Sequence, residues 1–358
     1  MVNSLIGEGN CIGYAARDSS GFLSPYKFTR RPTGVDDVSF RVTHCGMCHA
    51  ELVWLFNLMG DAMYPMVPGH EVIGVVTEVG SNVDRFKIGD RVGVGCFVGS
   101  CRECEYCNDG QEHVCVKHCI LTYNGIDVDG TVTNGGYSSH MVTHQRYVLK
   151  IPDRLSPAEA APLLCAGITV YSPMMRHGMN KPGKRLGVVG LGGLGHMAVK
   201  FGKAFGLEVT VLSTSESKRE EAISVLGADN FVVTTKDPEV KAAVGTLDFI
   251  VDTASAEHPL DLYLSLLKTG GILSLVGICK ELKFAPTSIC LGLKTVSGSV
   301  TGGIKETQEM LDFCSEHSVT PMIELIDIDY ANTALKRMND KDVRYRFVID
   351  VENTLHEL

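Results

Sequence analysis

The chain has 358 residues, of which 44% are hydrophobic and 21% are charged, and its formal net charge is -9. This composition excludes a largely disordered chain and argues against nucleic acid or an anionic membrane as a partner, because phosphate groups attract basic surfaces. No apolar run approaches the roughly 20 residues that span a bilayer, and no signal peptide is evident. Thirteen cysteines therefore indicate metal ligands or free thiols, and the cytoplasm is the expected compartment.

The predicted elements divide the chain into two kinds of structure. Residues 35–100 contain short valine-rich runs separated by Gly, Asp and Pro, which is typical of strands joined by turns, and residues 101–120 form a polar, cysteine-rich lobe. From about residue 165 strands alternate with helices, which indicates βαβ units and a parallel sheet. An amphipathic helix and a returning strand follow after about residue 305. The pattern predicts a nucleotide-binding domain inserted between two parts of a β-rich domain.

Three separate segments supply a possible metal site. They are "CGMCHAELVW" with Cys48, "PGHEV" with His70 and Glu71, and "LLCAG" with Cys165. Taken singly, each has an ordinary explanation, because a cysteine in an apolar run is usually a core thiol. Together, two thiolates and one imidazole with a nearby carboxylate are typical of the catalytic zinc of alcohol dehydrogenases, which acts as a Lewis acid.

A compact cysteine cluster follows in "CRECEYCNDGQEHVC", with the spacing C-x2-C-x2-C-x7-C. Four thiolates this close in sequence can surround one tetrahedral ion, and they leave no coordination position open, so the predicted site is structural. Four unrelated thiols or an iron–sulfur cluster are the alternatives, although nothing else in the chain indicates electron transfer. The predicted ligands are Cys101, Cys104, Cys107 and Cys115.

A glycine-rich turn lies between a predicted strand and a predicted helix in "RLGVVGLGGLGHMAVKFGKAFG". Glycine lets the backbone approach a pyrophosphate, and the N-terminus of the helix favours its negative charge. This context makes the match specific, although a purely structural tight turn remains the alternative. The residues predicted to contact the dinucleotide are Gly190, Leu191, Gly192, Gly193, Leu194 and Gly195.

The next strand ends in "STSESK", which bears on the choice between NADH and NADPH. An NAD-preferring site places a carboxylate at this point to bind the ribose 2′-hydroxyl. This chain has Ser213, Thr214 and Ser215 there, with Lys218 close behind. Hydroxyl groups and a cation suit a 2′-phosphate, which predicts NADPH. Glu216 could oppose a phosphate, but it is expected to lie past the strand end and to face solvent.

Six motifs run in order over nearly the whole chain: "CGMCHAEL", "YPMVPGHEVIGVVTEVG", "GDRVGVGCFVGSCRECEYC", "APLLCAGITVYSP", "GVVGLGGLGHMAVKFGKAFG" and "DVRYRFVIDVE". With them the chain resembles the zinc-dependent medium-chain dehydrogenase/reductase superfamily, in its plant cinnamyl alcohol dehydrogenase branch. The resemblance implies a GroES-like, β-rich catalytic domain at residues 1–165 and 306–358, with a structural zinc lobe at 96–119. It also implies a Rossmann NADPH-binding domain at residues 166–305 and a homodimer formed through these domains.

The resemblance also implies roles for individual residues. Cys48, His70 and Cys165 match the catalytic zinc ligands, Glu71 matches a carboxylate that can act as a fourth ligand, and the four clustered cysteines match the structural zinc. Two zinc ions and NADPH are thus the expected cofactors. Further implied cofactor contacts are His49, Thr169, Thr253, Val276, Gly277, Ser299 and Val300. The residues assigned to the substrate pocket are Trp54, Met59, Cys96, Leu121 and Val300.

The chain departs from the family where a proton relay is expected. A hydroxyl and a second histidine normally follow the first zinc ligand, but this chain has Ala50 and Val53, and neither side chain can carry a proton. Losing general acid–base help costs about 10²- to 10⁴-fold in rate. That cost is heavy when an aldehyde oxygen must gain a proton, and small when hydride reaches an iminium carbon or the β-carbon of a conjugated carbonyl. Glu51 replaces the acid that supports the ligand histidine.

The leading hypothesis is an NADPH-dependent reductase of a plant monoterpene indole alkaloid intermediate, acting by 1,2-reduction of an iminium or 1,4-reduction of an α,β-unsaturated carbonyl. Retained zinc ligands together with a missing proton relay resemble the atypical reductases of monoterpene indole alkaloid biosynthesis. These are reductases of the geissoschizine synthase, tetrahydroalstonine synthase and dihydroprecondylocarpine acetate synthase type. The apolar run around Trp54 favours a large substrate, although it could also pack into the core. Two alternatives stay open: a cinnamyl-type alcohol dehydrogenase with a water in place of the relay, and a non-catalytic NADPH-binding protein.

Overall fold

The chain folds into two compact units in a computed structural model that describes residues 9–356. One unit contains the described residues up to Cys165 together with those from Gly302 onward, and the other contains Ala166–Thr301. The second unit is therefore one continuous segment inserted into the first. Within the described residues, no helix combines the length and the apolar character needed to cross a membrane.

The secondary structure elements are numbered in chain order. The strands are β1 (Cys11–Ala16), β2 (Leu23–Phe28), β3 (Asp37–Gly46), β4 (Val72–Val79), β5 (Arg91–Val94), β6 (Phe97–Gly99), β7 (Ile120–Leu121), β8 (His140–His144), β9 (Leu149–Lys150), β10 (Arg185–Val189), β11 (Glu208–Ser213), β12 (Asn230–Val233), β13 (Leu247–Asp252), β14 (Leu267–Leu275), β15 (Thr295–Gly298), β16 (Ile323–Ile326) and β17 (Arg346–Asp350). The α-helices are α1 (His49–Leu55), α2 (Glu105–Asn108), α3 (Pro157–Pro162), α4 (Ile168–Arg176), α5 (Gly195–Ala204), α6 (Asp237–Ala243), α7 (Leu260–Leu266), α8 (Thr287–Cys290), α9 (Ile304–His317), α10 (Ala331–Asn339) and α11 (Val351–Thr354).

The first unit is built on a seven-stranded sheet with the order β16-β17-β3-β4-β5-β9, to which β8 is added beside β3. β3 and β4 are rich in β-branched residues and occupy its centre, where Phe40, Val42 and Val72 are buried. The pairing is antiparallel except between β16 and β17. The end of β3 and the start of β4 are paired through Cys45 and Val72, so the loops at this edge lie together.

The second unit contains a six-stranded parallel sheet with the order β12-β11-β10-β13-β14-β15. Numbered within this unit the order is 3-2-1-4-5-6, which defines the Rossmann arrangement. Its strands are nearly continuous runs of buried Val, Ile and Leu, as expected for a parallel sheet covered on both faces. The order of the strands reverses between β10 and β13, and ligands of such sheets bind at the carboxyl ends of the strands at this point.

Candidate active site

The structure of the first unit brings the scattered metal-ligand candidates together. One ligand atom from each of Cys48, His70, Glu71 and Cys165 lies within 4.8 Å of the others. Cys48 precedes the first residue of α1, His70 and Glu71 lie in the turn before β4, and Cys165 lies in a π-helical turn. That turn, Leu163–Gly167, follows α3 directly, and π-turns occur often at functional sites.

The spacing of the donor atoms fits a zinc ion. A tetrahedral site with Zn–S bonds of about 2.3 Å places two sulfurs about 3.8 Å apart. The Sγ atoms of Cys48 and Cys165 are 3.7 Å apart. Hydrogen bonding by the Cys165 thiol is the main cause that lowers the pKa of Cys48 well below its usual value, although burial opposes it. The thiolate that zinc requires is therefore favoured at Cys48.

Glu51 orients the histidine of this cluster. Its buried carboxylate lies 3.2 Å from Nδ1 of His70, and it also accepts a hydrogen bond from the backbone N–H of Cys48. An Nδ1–H directed at Glu51 leaves Nε2 of His70 free to face the thiols, which is how carboxylates commonly orient metal-binding histidines. Glu51 thus acts on the position of both ligands, and it does so from the first turn of α1.

The carboxylate of Glu71 forms a buried ion pair with Arg346 of β17. Burial raises the pKa of Glu71 to about 8, and the guanidinium of Arg346 opposes that rise. A Cβ atom on Gly46 would lie 2.0 Å from Oε2 of Glu71, so this carboxylate needs a glycine beside it. Arg346 is not among the residues predicted from the sequence, and it lies 275 residues away from Glu71 along the chain.

The expected relay positions lie on α1 and present only apolar side chains. Ala50 and Val53 are three residues apart, so they share one face of the helix, and both are half-buried. Leu52 and Leu55 fill the core on another face. His49, at the start of α1, is exposed. Within α1, therefore, neither relay position offers a side chain that could pass a proton.

Aromatic side chains extend from the metal cluster to α1. The ring of Tyr123 stacks on His70 with centroids 5.7 Å apart, and Trp54 packs edge-on against Tyr123 at 5.6 Å. Tyr123 is buried and its hydroxyl makes no hydrogen bond to any described group. Of the other residues assigned to the pocket, Cys96 and Leu121 are half-buried, whereas Met59 is 71% exposed after α1 and Val300 is exposed in the second unit. Tyr123 is not among the residues predicted from the sequence.

The four clustered cysteines form a second site that fits a single ion. Their sulfur atoms lie within 4.8 Å of one another, and the sulfurs of Cys101 and Cys107 are 3.8 Å apart. Backbone N–H groups point at the sulfurs, since the N–H of Cys104 lies 3.4 Å from the sulfur of Cys101. The backbone N–H of Cys107 is the main cause that lowers the pKa of Cys104 to about 6. Sulfurs this close surround one zinc ion rather than a cluster of irons, and they leave it no open position.

The glycine-rich turn of the second unit lies at the carboxyl end of β10, directly before α5. Gly190 has a φ of +82°, a conformation that residues with a Cβ atom rarely adopt. A Cβ atom on Gly195 would lie 2.0 Å from the carbonyl oxygen of Gly190, so this contact also needs glycine. A Cβ atom on Gly192 would meet no atom within 4 Å, and the backbone there is open to a pyrophosphate.

The other predicted cofactor contacts of this unit lie in separate elements. Thr253 follows β13, Val276 and Gly277 follow β14, and Ser299 follows β15, so all of them lie at the carboxyl edge of the sheet. Thr169 is buried in α4.

The end of β11 carries the groups predicted to bind a 2′-phosphate. Ser213 is the last residue of β11, and Nζ of Lys218 donates a hydrogen bond to the carbonyl of Leu191 at 2.7 Å. Glu216 forms ion pairs with Arg219 and Lys236, and hydrogen bonding by Arg219 is the main cause that lowers the pKa of Glu216 to about 2. The carboxylate of Glu216 is thus paired with Arg219 and Lys236. The ammonium group of Lys218 lies instead beside the glycine-rich turn.

Replacing Lys218 by Ala is expected to raise the KM for NADPH by about 10- to 100-fold, the effect of one lost charge-assisted hydrogen bond. The KM for NADH should change little, because NADH lacks the 2′-phosphate. Steady-state kinetics with both cofactors measure the difference, with the exposed Lys241→Ala variant as the control. Equal changes for NADPH and NADH would show that Lys218 does not contact the phosphate.

Comparison with known proteins identifies the class. The family model described as "Alcohol dehydrogenase GroES-like domain" matches residues 34–153, and the one described as "Zinc-binding dehydrogenase" matches residues 193–316. The chain therefore belongs to the zinc-dependent medium-chain dehydrogenase/reductase family. This membership confirms the predicted fold class, a Rossmann domain plus a GroES-like domain.

Individual relatives place the chain more narrowly. It is 61% identical to "Probable cinnamyl alcohol dehydrogenase 1" of Oryza sativa subsp. japonica, with 97% of this chain and 98% of the relative covered. A cinnamyl alcohol dehydrogenase structure from Sorghum bicolor has 52% identity and a TM-score of 0.94, with 97% and 99% covered. The CAD of Helicobacter pylori, solved with NADP(H), has 37% identity and a TM-score of 0.88, with 96% and 99% covered. The chain belongs to the plant cinnamyl alcohol dehydrogenase branch.

These findings confirm, at the level of the family, the prediction of a zinc-containing NADP(H)-dependent oxidoreductase. The donor sets of the two metal clusters fit the predicted zinc ions. The comparisons do not extend to the resemblance with alkaloid reductases.

Proposed function

We propose that this chain is an NADPH-dependent reductase that delivers hydride to an electrophilic carbon of a bulky, conjugated plant metabolite. The leading substrate class is a monoterpene indole alkaloid intermediate with an iminium or an α,β-unsaturated carbonyl. One observation carries the proposal: the metal-ligand set is retained while the α1 face of Ala50 and Val53 has no proton-carrying group. An acceptor that needs no proton on oxygen suits such a site.

The residues of the first unit would bind and orient the acceptor. When bound to Cys48, His70 and Cys165, zinc supplies a Lewis acid that polarises the acceptor group. Glu51 keeps the imidazole of His70 oriented, and the edge-to-face pair of Trp54 and Tyr123 offers an apolar aromatic wall. Such a wall favours flat, polycyclic substrates and excludes water from the reacting carbon.

The proton balance separates the acceptor classes. Hydride from C4 of the nicotinamide reduces an iminium to a tertiary amine, and no proton is needed. In a 1,4-reduction hydride goes to the β-carbon, and water returns a proton to the α-carbon of the enolate. Reduction of an aldehyde requires a proton on oxygen, which Ala50 and Val53 cannot supply. The site is therefore best suited to the first two reactions.

A cinnamyl-type alcohol dehydrogenase is the second candidate, and the relatives favour it. The rice and sorghum proteins carry that name, while a relative from Mesembryanthemum crystallinum, 55% identical, is called a probable mannitol dehydrogenase. In this candidate an ordered water replaces the side-chain relay, and the substrate is a phenylpropenal aldehyde.

A deuterium-transfer experiment tests the proposal. The zinc-loaded enzyme is incubated with NADPH deuterated at C4 and with a panel of strictosidine-derived intermediates and cinnamaldehyde, and NMR locates the deuterium. Label on an iminium carbon or a β-carbon supports the proposal. Label only on the aldehyde carbon, at a rate normal for the branch, would establish the second candidate. Absence of transfer from bound NADPH would indicate a non-catalytic binding protein.

Matched variants link the label to the proposed site. Cys48→Ser should abolish transfer, because it removes one zinc ligand, whereas Cys279→Ser should not, because Cys279 lies outside both metal clusters. We also propose a homodimer formed through the inserted units and a cytoplasmic location. Light scattering of the zinc-loaded enzyme tests the dimer.

A further inference from the structure

Three turns of the second unit meet at the carboxyl edge of its sheet. The carbonyl of Asp252 accepts hydrogen bonds from the N–H groups of Val276 at 2.9 Å and Gly277 at 3.0 Å. The hydroxyl of Thr253 donates to the carbonyl of Val189 at 2.7 Å, at the start of the glycine-rich turn. The end of β13 therefore holds the turns after β10 and β14 in place, and these turns surround the predicted dinucleotide site.

A buried histidine–aspartate pair closes the segment that follows β13. The side chain of Asp252 is 1% exposed, and its Oδ2 lies 2.7 Å from Nε2 of His258, which is 10% exposed. Nδ1 of His258 lies 2.7 Å from the carbonyl oxygen of Ala256, and Oδ1 of Asp252 accepts from the N–H of Ala254 at 3.1 Å. Residues 253–257 are thus folded back between the two members of the pair.

The geometry requires two protons on this pair. A carbonyl oxygen only accepts hydrogen bonds, so Nδ1 of His258 must carry a hydrogen to bond Ala256. A second proton must lie between Nε2 and the carboxylate of Asp252, because two bare acceptors at 2.7 Å would repel each other. His258 therefore donates from both ring nitrogens, one to the side chain of Asp252 and one to the backbone of Ala256.

The surroundings of the pair contain few other ionisable groups. Tyr263 of α7 packs edge-on against the ring of His258 with centroids 5.3 Å apart, and burial raises its pKa, so its phenol stays neutral. Burial also raises the pKa of Asp252, and His258 opposes that rise. His258 is the ion-pair partner of Asp252 among the described residues, and on the loop itself Glu257 is exposed.

We propose that Asp252 and His258 form a positioning pair that holds the turn at 253–257, and with it the backbone around the dinucleotide, so that NADPH binds more weakly when the hydrogen bonds of His258 are lost. The inference rests on the proposed cofactor contacts at Thr253, Val276 and Gly277. The pair touches neither substrate nor metal, and it acts only through the backbone it holds.

The test is the Kd for NADPH of the zinc-loaded enzyme, measured by fluorescence titration at neutral pH. His258→Phe removes both hydrogen bonds, and we expect the Kd to rise by about 10-fold or more. His258→Gln keeps a side-chain donor for Asp252, so its Kd should stay closer to that of the natural enzyme than the Kd of His258→Phe does. The exposed His356→Gln is the matched control.

Rescue by His258→Gln separates positioning from a merely structural role. Thermal unfolding of each variant shows whether it folds, and a folded His258→Gln variant that binds NADPH as weakly as His258→Phe would overturn the proposal. An unchanged Kd in His258→Phe would also overturn it. Failure of the substrate proposal leaves this test intact, because only NADPH binding is measured, whereas loss of NADPH binding in the natural enzyme would instead refute the cofactor site.

Discussion

Replacing Ala50 by Thr together with Val53 by His is expected to raise kcat/KM for cinnamaldehyde by about 10²-fold or more, the lower end of what general acid–base catalysis contributes. The two positions share one face of α1, which begins directly after the cluster residue Cys48, and both are half-buried. A hydroxyl and an imidazole there would supply the proton that the aldehyde oxygen needs. Steady-state kinetics with NADPH measure the gain, and a new titrating group should appear in the pH profile.

The control has the same added bulk without a transferable proton: Ala50→Val with Val53→Leu. It should leave aldehyde reduction low. Reduction of an iminium substrate should change little in the relay variant, because no proton is transferred to the product. The relay variant could bind zinc and NADPH normally and still gain no aldehyde activity. In that event the missing side chains do not limit aldehyde reduction, and the proposal of an iminium or conjugated acceptor would be contradicted.

Replacing Arg346 by Met is expected to lower the free energy of unfolding by about 3–5 kcal/mol, the cost of leaving one member of a buried ion pair without its partner. Glu71 is fully buried, and Arg346 is the guanidinium that pairs with it. Urea denaturation followed by the fluorescence of Trp54, which lies in the same unit, measures the change. The zinc content should fall as well, because Glu71 belongs to the metal cluster.

The loss should grow with pH. Without Arg346 the pKa of Glu71 rises further, so the folded state binds a proton that the unfolded state has released. Stability then falls as pH rises above the ordinary range of a glutamate. Adding Glu71→Gln to the Arg346→Met variant should recover much of the loss, which a double-mutant cycle quantifies.

Arg337→Met is the matched control for this prediction. Arg337 pairs with Glu324 and Asp342 in partly exposed positions, so its loss should cost less than about 1 kcal/mol. Equal losses for the two arginine variants would contradict the importance of burial at Glu71.

The sequence was sufficient for the features that depend on local pattern. Alternating strands and helices predicted the inserted parallel sheet, and the spacing of four cysteines within 15 residues predicted one compact donor cluster. The pairing of Glu71 with Arg346 could not be predicted in this way, because it depends on how β17 packs beside β3. The segment "RYRFVIDVE" does predict a strand, and an arginine at an otherwise buried position was the available signal.

The contacts of Tyr123 and His258 illustrate the same limit. "ILTYNG" predicts only a short strand and a turn, yet the tyrosine ring reaches His70, which lies in a different loop. His258 lies in the segment "TASAEHP", and nothing in those letters indicates that both ring nitrogens face oxygen atoms. The contact of Tyr123 arises because loops from distant parts of the chain are brought together, whereas the contacts of His258 are local and depend on how residues 253–257 turn back.

The π-helical turn that carries Cys165, Leu163–Gly167, spans a unit boundary, because the first part of the first unit ends at Cys165 and the inserted unit begins at Ala166. The candidate zinc ligand Cys165 is therefore the last residue before the inserted unit. The turn that positions this ligand also contains the first residues of the inserted unit. This has a practical consequence for chimeric enzymes. A nucleotide-binding unit taken from a relative can be exchanged without altering the catalytic donor set only if the splice falls after Cys165. A splice a few residues earlier would import the relative's ligand and the geometry of its turn.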